Sequence, residues 1–140
     1  MAEYKKPSIT VDIVIFNEND RNNNFILIKR KNEPYKDYWA IPGGFVDYGE
    51  TVEDAAIREA KEETTVDIDI EELFGVYSNP NRDPRGHTIT IVYVATGNFD
   101  EIQANSDAAD VGIFSFDEIK SMKIAFDHRE ILEDLFNILK

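Results

Sequence analysis

The chain has 140 residues, a net charge of −13, 42% hydrophobic and 11% aromatic side chains, and no cysteine. That length suits one domain, residues 1–140, large enough to bury a sizeable core. The charge argues against nonspecific nucleic-acid binding, which needs a positive footprint, and the missing cysteines exclude disulfides and thiolate chemistry. No apolar run approaches the ~18 residues of a membrane-spanning helix. The start, Met1 to Pro7, lacks a following hydrophobic stretch, so no signal peptide is expected and a cytoplasmic location is the simplest expectation.

In chain order, Ile9, Val11, Ile13 and Ile15 alternate with other residues, which predicts a strand. A polar, turn-rich stretch covers 17–24, and Phe25 to Lys29 is the next strand. Residues 31–37 form a loop leading to Trp39, and Pro42, Gly43 and Gly44 make a turn whose backbone can approach a ligand closely. Thr51 and Asp54 form a capping-box-like start for a helix over about 52–64, with Val52, Ala55, Ala56 and Ala60 as its apolar side. Residues 66–78 are β-branched enough for a strand or two, interrupted near Gly75. A loop with two prolines follows at 79–86, then a strand over 87–96 that alternates through Thr88, Thr90, Val92 and Val94. Residues 99–110 are a loop, 111–116 a short strand. Asp127 and Glu130 open a last helix whose apolar face is Ile131, Leu132, Leu135, Phe136, Ile138 and Leu139. Strands with two helices in one domain suggest an α/β layered fold.

The chemistry concentrates between Gly44 and Val66. Glu59, Glu62 and Glu63 stand three and four residues apart, on one helix face, where like charges repel. Such a face is either solvated or built around a cation. Carboxylates are hard ligands for Mg2+, which is usually shared with substrate phosphates and waters. Arg58 lies four residues before Glu62, in position to pair with it. The residues alone leave both readings open.

The segment resembles the Nudix box, G-x5-E-x7-R-E-U-x-E-E-x-G-U, where U is aliphatic. Gly44, Glu50, Arg58, Glu59, Glu62, Glu63 and Val66 match in register, Ala60 fills the first U, and the run from Tyr38 into Gly44 is also similar to the family's. Thr65 departs from the pattern, standing where the family has glycine. A β-branched residue at the left-handed exit of a helix is strained, so this exit must run differently or carry strain. The resemblance implies an α/β/α sandwich with a mixed sheet between helices. It implies hydrolysis of a nucleoside diphosphate derivative, with Glu59, Glu62, Glu63 and the Gly44 carbonyl binding Mg2+, or Mn2+ in its place. It further implies that Arg58 orients a box glutamate and that Glu50 supports the loop or an outer metal. The general base stays open among Glu62, Asp107 and Asp110.

Residues outside the box must select the substrate. Arg82, Arg85 and His87 stand in a proline-fixed loop and can bind phosphate or ribose oxygens. The run from Arg82 to His87 resembles that of microbial ADP-ribose pyrophosphatases; the alternative is a rigid hairpin with an internal Arg–Asp pair. Phe126 and His128 belong to a run similar to one found in ADP-ribose-handling relatives, with Phe126 stacking on a base or ribose and His128 reaching a phosphate. The alternative places Phe126 in the core and Asp127 as a helix cap. The expected reaction is ADP-ribose to AMP and ribose 5-phosphate. The rivals are another Nudix substrate (a nucleotide sugar, a dinucleotide or an oxidised nucleoside triphosphate) and a sensor domain that binds ADP-ribose without cleaving it. The expected partner is that small molecule, with no nucleic acid and no membrane; a homodimer is common among relatives.

Overall fold

The computed structural model describes residues 5–20, 22–105 and 107–139. Ser106, in the expected acidic loop, and Arg21, in the turn-rich stretch, lie outside them. The elements are β1 (Ser8–Asn17), β2 (Phe25–Arg30), β3 (Trp39–Ala40), β4 (Gly43–Phe45), α1 (Val52–Thr64), β5 (Ile68–Tyr77), β6 (Thr88–Gly97), β7 (Ala108–Phe114) and α2 (His128–Leu139). Short 3-10 turns stand at Phe99–Glu101 and Glu118–Ser121.

β1 organises the molecule because both of its faces are covered. Its odd residues Val11, Ile13 and Ile15 pack against Ala55, Ala56 and Ala60 of α1, with Val66, Tyr93 and Ala95. The small alanines let the helix backbone lie close to the sheet. Val14 points the other way, among Leu27, Val92 and Val94 and the α2 residues Ile131, Leu132 and Leu135. This period-2 division puts one helix on each face, which is the expected α/β/α sandwich. The sheet runs β3-β2-β1-β6-β5, with β4 added to β1 and β7 to β2. It is mixed: β1 and β6 are parallel from Ser8–Thr88 to Asn17–Gly97, and the other pairs are antiparallel. A parallel pair needs a long crossover, and the chain between β1 and β6 supplies it through α1. Among the described residues no helix is long and apolar enough to cross a membrane.

Three boundaries differ from expectation. Residues 68–77 are one strand, and the break foreseen near Gly75 is a register shift between Leu73 and Gly75, with another between Ile70 and Glu72. Both are absorbed as bulges against β6. The strand expected at 111–116 begins at Ala108, because Lys29 and Arg30 of β2 pair with Asp110 and Ala108. Asp110 therefore sits in a strand, not a loop. On α2 only Ile131, Leu132 and Leu135 of the expected apolar face are buried; Phe136, Ile138 and Leu139 are exposed. Phe136 reaches the margin of the core, stacked on Phe116 at 4.9 Å.

α1 starts as its cap predicts, with the Thr51 hydroxyl accepting from Asp54 N at 3.1 Å. It ends with Thr65 at φ 62°, ψ 9°, its N–H donating to Lys61 O. The left-handed exit of the box pattern is thus retained, and a β-branched residue occupies it. The Thr65 hydroxyl shares its proton between the carbonyls of Thr64 and Glu101, tying the exit to the next turn. Left-handed strain costs about 1–2 kcal/mol. The hydroxyl bond returns about 1 kcal/mol, and a glycine would add roughly 0.5–1 kcal/mol of unfolded-state entropy. These terms nearly cancel, so Thr65→Gly is expected to change stability by less than about 1 kcal/mol. Thr65→Ala keeps the strain and loses the hydroxyl, so it should cost about 1 kcal/mol. Urea unfolding of both variants checks the order.

Candidate active site

α1 directs Arg58, Glu59, Glu62 and Glu63 toward the β4 turn. Arg58 is the hub of this face. Its Nε and Nη2 donate to the two oxygens of Glu50 at 2.8 and 2.9 Å, and Nη2 also reaches Phe45 O at 3.0 Å. Its Nη1 donates to Glu59 at 2.9 Å and more loosely to Glu62 at 3.3 Å. Glu50 accepts in addition from Asp47 N at 3.0 Å. The Arg58 fork, then that N–H, holds the Glu50 carboxyl down at about 2. Of the two roles the resemblance offered for Glu50, this geometry matches loop support.

The glycines of the preceding turn set the fit. A Cβ on Gly44 would lie 2.5 Å from Cδ of Glu59, and one on Gly43 2.1 Å from Val11 O. Only bare backbone fits between the sheet and these carboxylates. Gly43 N donates to Glu63 Oε1 at 2.8 Å. Glu63 is 7% exposed, and burial pushes its carboxyl up to about 8, with Glu59, Asp12 and Asp107 adding repulsion. Burial also raises Glu59, against the pull of Arg58, and Glu62 and Asp107 raise it further. Glu62 is the exposed member, its side chain 46% accessible.

These carboxylates suit a hard divalent cation: they are crowded, burial and neighbouring carboxylates raise Glu59 and Glu63, and bare backbone runs beside them. Among the described residues no three acidic or histidine side chains already converge as a metal cage. Glu59 and Glu62 are turned onto Arg58 instead. Mg2+ tolerates this, since it usually keeps several waters and takes one or two carboxylates.

A cavity opens beside Glu63 and the Gly43–Gly44 backbone, and Arg30, Arg85 and Phe126 also line it. Arg85 is paired with Asp83 at 3.1 and 2.9 Å, and its guanidinium lies over Phe45 at 5.2 Å and Phe126 at 5.7 Å. Phe126, at φ 55°, is half-buried and meets Tyr35 edge-on at 4.9 Å. It lines the cavity and also packs against the small core cluster of Ile28, Ala40, Ala108 and Ala125.

The other expected ligand contacts face the protein. Arg82 is 8% exposed. Its fork grips Asp127 at 2.9 and 2.8 Å, Nη1 donates to Thr88 Oγ1 at 2.7 Å, and Nη2 stands 3.9 Å from Asp12. Arg82 underlies the cavity, and the Asp127 carboxylate serves it. His128 is buried; its Nδ1 accepts from Ile41 N at 3.0 Å, which leaves the proton on Nε2, 3.6 Å from Asp12 Oδ1. Burial lowers its pKa, so the ring is neutral. His87 is exposed, with Nε2 3.0 Å from Ser78 O across the base of its loop, outside the cavity that holds Glu63. Asp107 is exposed yet near enough to act on Glu59 and Glu63. Asp110 turns its carboxylate to its own strand at Val111 N, 2.8 Å away.

Two cavity residues escaped the sequence reading. Asp12 had a signal: a carboxylate inside an apolar strand. It is 6% exposed and accepts from Thr90 Oγ1 at 2.6 Å. Arg30, at the end of β2, gave none.

A family model of the NUDIX domain matches residues 6–135. The chain belongs to the Nudix family. It is 45% identical over 131 residues to the ADP-ribose pyrophosphatase of Methanocaldococcus jannaschii, covering 94% of this chain and 74% of that Nudix protein. The chain is thus a homologue of a Nudix ADP-ribose pyrophosphatase over most of its length. It superposes with TM-score 0.85 on the Nudix domain of Shewanella oneidensis NrtR complexed with ADP ribose, at 29% identity over 98% of this chain and 91% of that one. NrtR has also been solved with a 27mer DNA, as a chain of which this one covers 61%. A bifunctional NMN adenylyltransferase/ADP ribose pyrophosphatase from Francisella tularensis, complexed with AMP and a Mn ion, is 30% identical with TM-score 0.85. This chain covers 44% of it, and 99% of this chain is matched.

Proposed function

We propose that this Nudix chain hydrolyses the pyrophosphate of a nucleoside diphosphate derivative, ADP-ribose above all, to AMP and ribose 5-phosphate. The observation that carries the reading is one cavity lined together by Glu63, the Gly43–Gly44 backbone, the guanidiniums of Arg30 and Arg85, and the Phe126 ring. A ligand with a pyrophosphate between two sugars matches that polarity. The 45% identity to an ADP-ribose pyrophosphatase supports the substrate.

Glu59, Glu62, Glu63 and the Gly44 carbonyl would hold Mg2+ or Mn2+, which neutralises bridging phosphates and acidifies a bound water. Arg58 holds Glu59 and Glu62 in place through the fork that Glu50 anchors. Glu63, locked by Gly43 N–H, is the fixed carboxylate; Glu62, exposed and loosely held, is free to move. A water oxygen bonds to one phosphorus, the bridging P–O bond breaks, and the water's proton goes to Glu62 or Asp107. Asp110 faces its own strand and drops behind them. Arg85 and Phe126 take the ligand; Arg82 and His128 hold the wall behind it. The −13 charge favours a small anion carried in by a cation over nucleic acid.

The resemblance to NrtR favours a second reading, ADP-ribose binding without cleavage. Incubation with Mg2+ and ADP-ribose, NADH, diadenosine polyphosphates, nucleotide sugars and oxidised nucleoside triphosphates, with products identified, separates them. AMP and ribose 5-phosphate from ADP-ribose support cleavage; bound but intact ADP-ribose supports the sensor.

Glu63 also sets a pH signature. Its folded pKa of about 8 lies above the ordinary carboxyl value of 4.5. Between these values the folded state holds a proton that the unfolded state lacks, so this contribution is full below 4.5 and fades as pH rises through about 8. The metal-free protein should lose stability over that window, and Glu63→Gln should flatten the slope. Thermal midpoints in EDTA across pH 5–8.5, about the window of the shift, check it.

A further inference from the structure

We propose that Arg30 and Arg85 form a metal-independent clamp for one phosphate group of the ligand; the clamp rests on the pyrophosphate reading only for the ligand's identity. Arg30 ends β2, and its Nε donates to Pro34 O at 2.7 Å. The backbone of residues 31–37 folds back to meet it, with Asp37 N on Arg30 O at 2.9 Å and Arg30 N on Tyr38 O at 2.8 Å. Tyr35 and Asp37 take positive φ angles to make that fold. Backbone held in such sparsely populated regions needs a surrounding structure that enforces it, and gathers at ligand sites.

The result is a half-buried guanidinium whose Nη1 and Nη2 have no protein acceptor among the described residues, and which pairs with no carboxylate. Arg85 uses Nε and Nη2 on Asp83 and leaves Nη1 without an acceptor among the described residues. Both cations stand over one ring, Phe126, at 5.0 and 5.7 Å, in the cavity that Glu63 also lines. Burial, then the Arg85 charge, lowers Arg30's proton affinity. Asp83, Asp107 and Glu63 act on Arg30 only at a distance. A partly desolvated charge with unused donors is costly unless an anion meets it. A phosphate group does so: its oxygens match guanidinium forks two at a time. Glu63 and the Gly43–Gly44 backbone line the same cavity and leave the ligand's other phosphate to the cation site. The pyrophosphate therefore spans the cavity.

The clamped group is a phosphomonoester after cleavage, so either product can report it. Calorimetric titration of the whole chain in EDTA at low salt, with AMP and with ribose 5-phosphate in separate runs, tests the clamp. At least one product should bind without metal, and Arg30→Gln should weaken it about tenfold or more, the loss of one charge-assisted pair. Arg30→Lys, which keeps charge and loses the fork, should fall between. Arg85→Gln changes an exposed side chain and carries the test if Arg30→Gln folds poorly. Binding by AMP alone assigns the clamp to the adenylate half, by ribose 5-phosphate alone to the other half. No binding of either product in EDTA, or equal binding by the wild type and every variant, overturns the clamp. Hydrolysis of ADP-ribose is scored separately, so a failed substrate assignment leaves the clamp standing and a failed clamp leaves the substrate assignment standing.

Discussion

Exchange of Glu62 for glutamine is expected to lower kcat on ADP-ribose by about 10²–10⁴-fold, the range for removing a positioned proton acceptor. Stability should stay within about 0.5 kcal/mol, as for an ordinary surface substitution. The separation of the two effects is the point. Glu62 is 46% exposed and its ion pair is the loose one to Arg58 at 3.3 Å. Exposed pairs contribute about 0–1 kcal/mol, and Arg58 retains Glu50, Glu59 and Phe45 O without it. Glu63 gives the opposite pattern. Its glutamine variant keeps an oxygen for Gly43 N–H and no longer has to take up a proton on folding near neutral pH, so it should gain metal-free stability as it loses activity. Steady-state kinetics with a Mg2+ titration, beside thermal melts, separates the pair. Preserved turnover in Glu62→Gln would remove Glu62 from the reaction and leave Asp107 as the base to test.

Local chemistry made α1 legible. Thr51 and the exit at Thr65 bracket the helix, and i, i+3, i+4 spacing fixes which side chains share a face, so Arg58, Glu59, Glu62 and Glu63 could be grouped from sequence. The alternation in β1 likewise announced a strand, though not that both of its faces are covered. The loop cations were not legible in the same way. Arg82 and Arg85 stand three residues apart in one loop. Which one turns inward depends on Asp127, 45 residues downstream of Arg82, and Asp127 had a local reading of its own as a helix cap. His128 similarly answers to Ile41, 87 positions away. Arg30 escaped because its unused donors follow from the backbone path of residues 31–37. Its cis Glu33–Pro34 bond and its left-handed Tyr35 and Asp37 have no side-chain periodicity to betray them.

Arg82 offers the largest stability effect, and its kinetics discriminate a supporting residue from one that touches substrate. Its side chain is 4% exposed and faces two carboxylates, Asp127 at 2.8 Å and Asp12 at 3.9 Å. Arg82→Met fills similar space but leaves those carboxylates without their cation. Breaking a buried pair from one side costs about 3–5 kcal/mol, which for a chain of this size lowers Tm by roughly 10 °C. Adding Asp127→Asn to Arg82→Met should recover part of the loss, since the double variant lacks the orphaned charge that makes the single one costly. An arginine that served only to bind substrate would show the reverse: an unchanged Tm, a raised KM and no rescue. Calorimetry on the single and double variants, with kinetics well below the lowered midpoint, distinguishes the two. Thr90 and His128 make the expected direction firm, because both lean on the same Asp12 and His128 in turn accepts the Ile41 N–H two residues before Gly43. Loosening Arg82 therefore reaches the backbone that presents Gly43 to Glu63, and the residual activity should fall through kcat more than through KM.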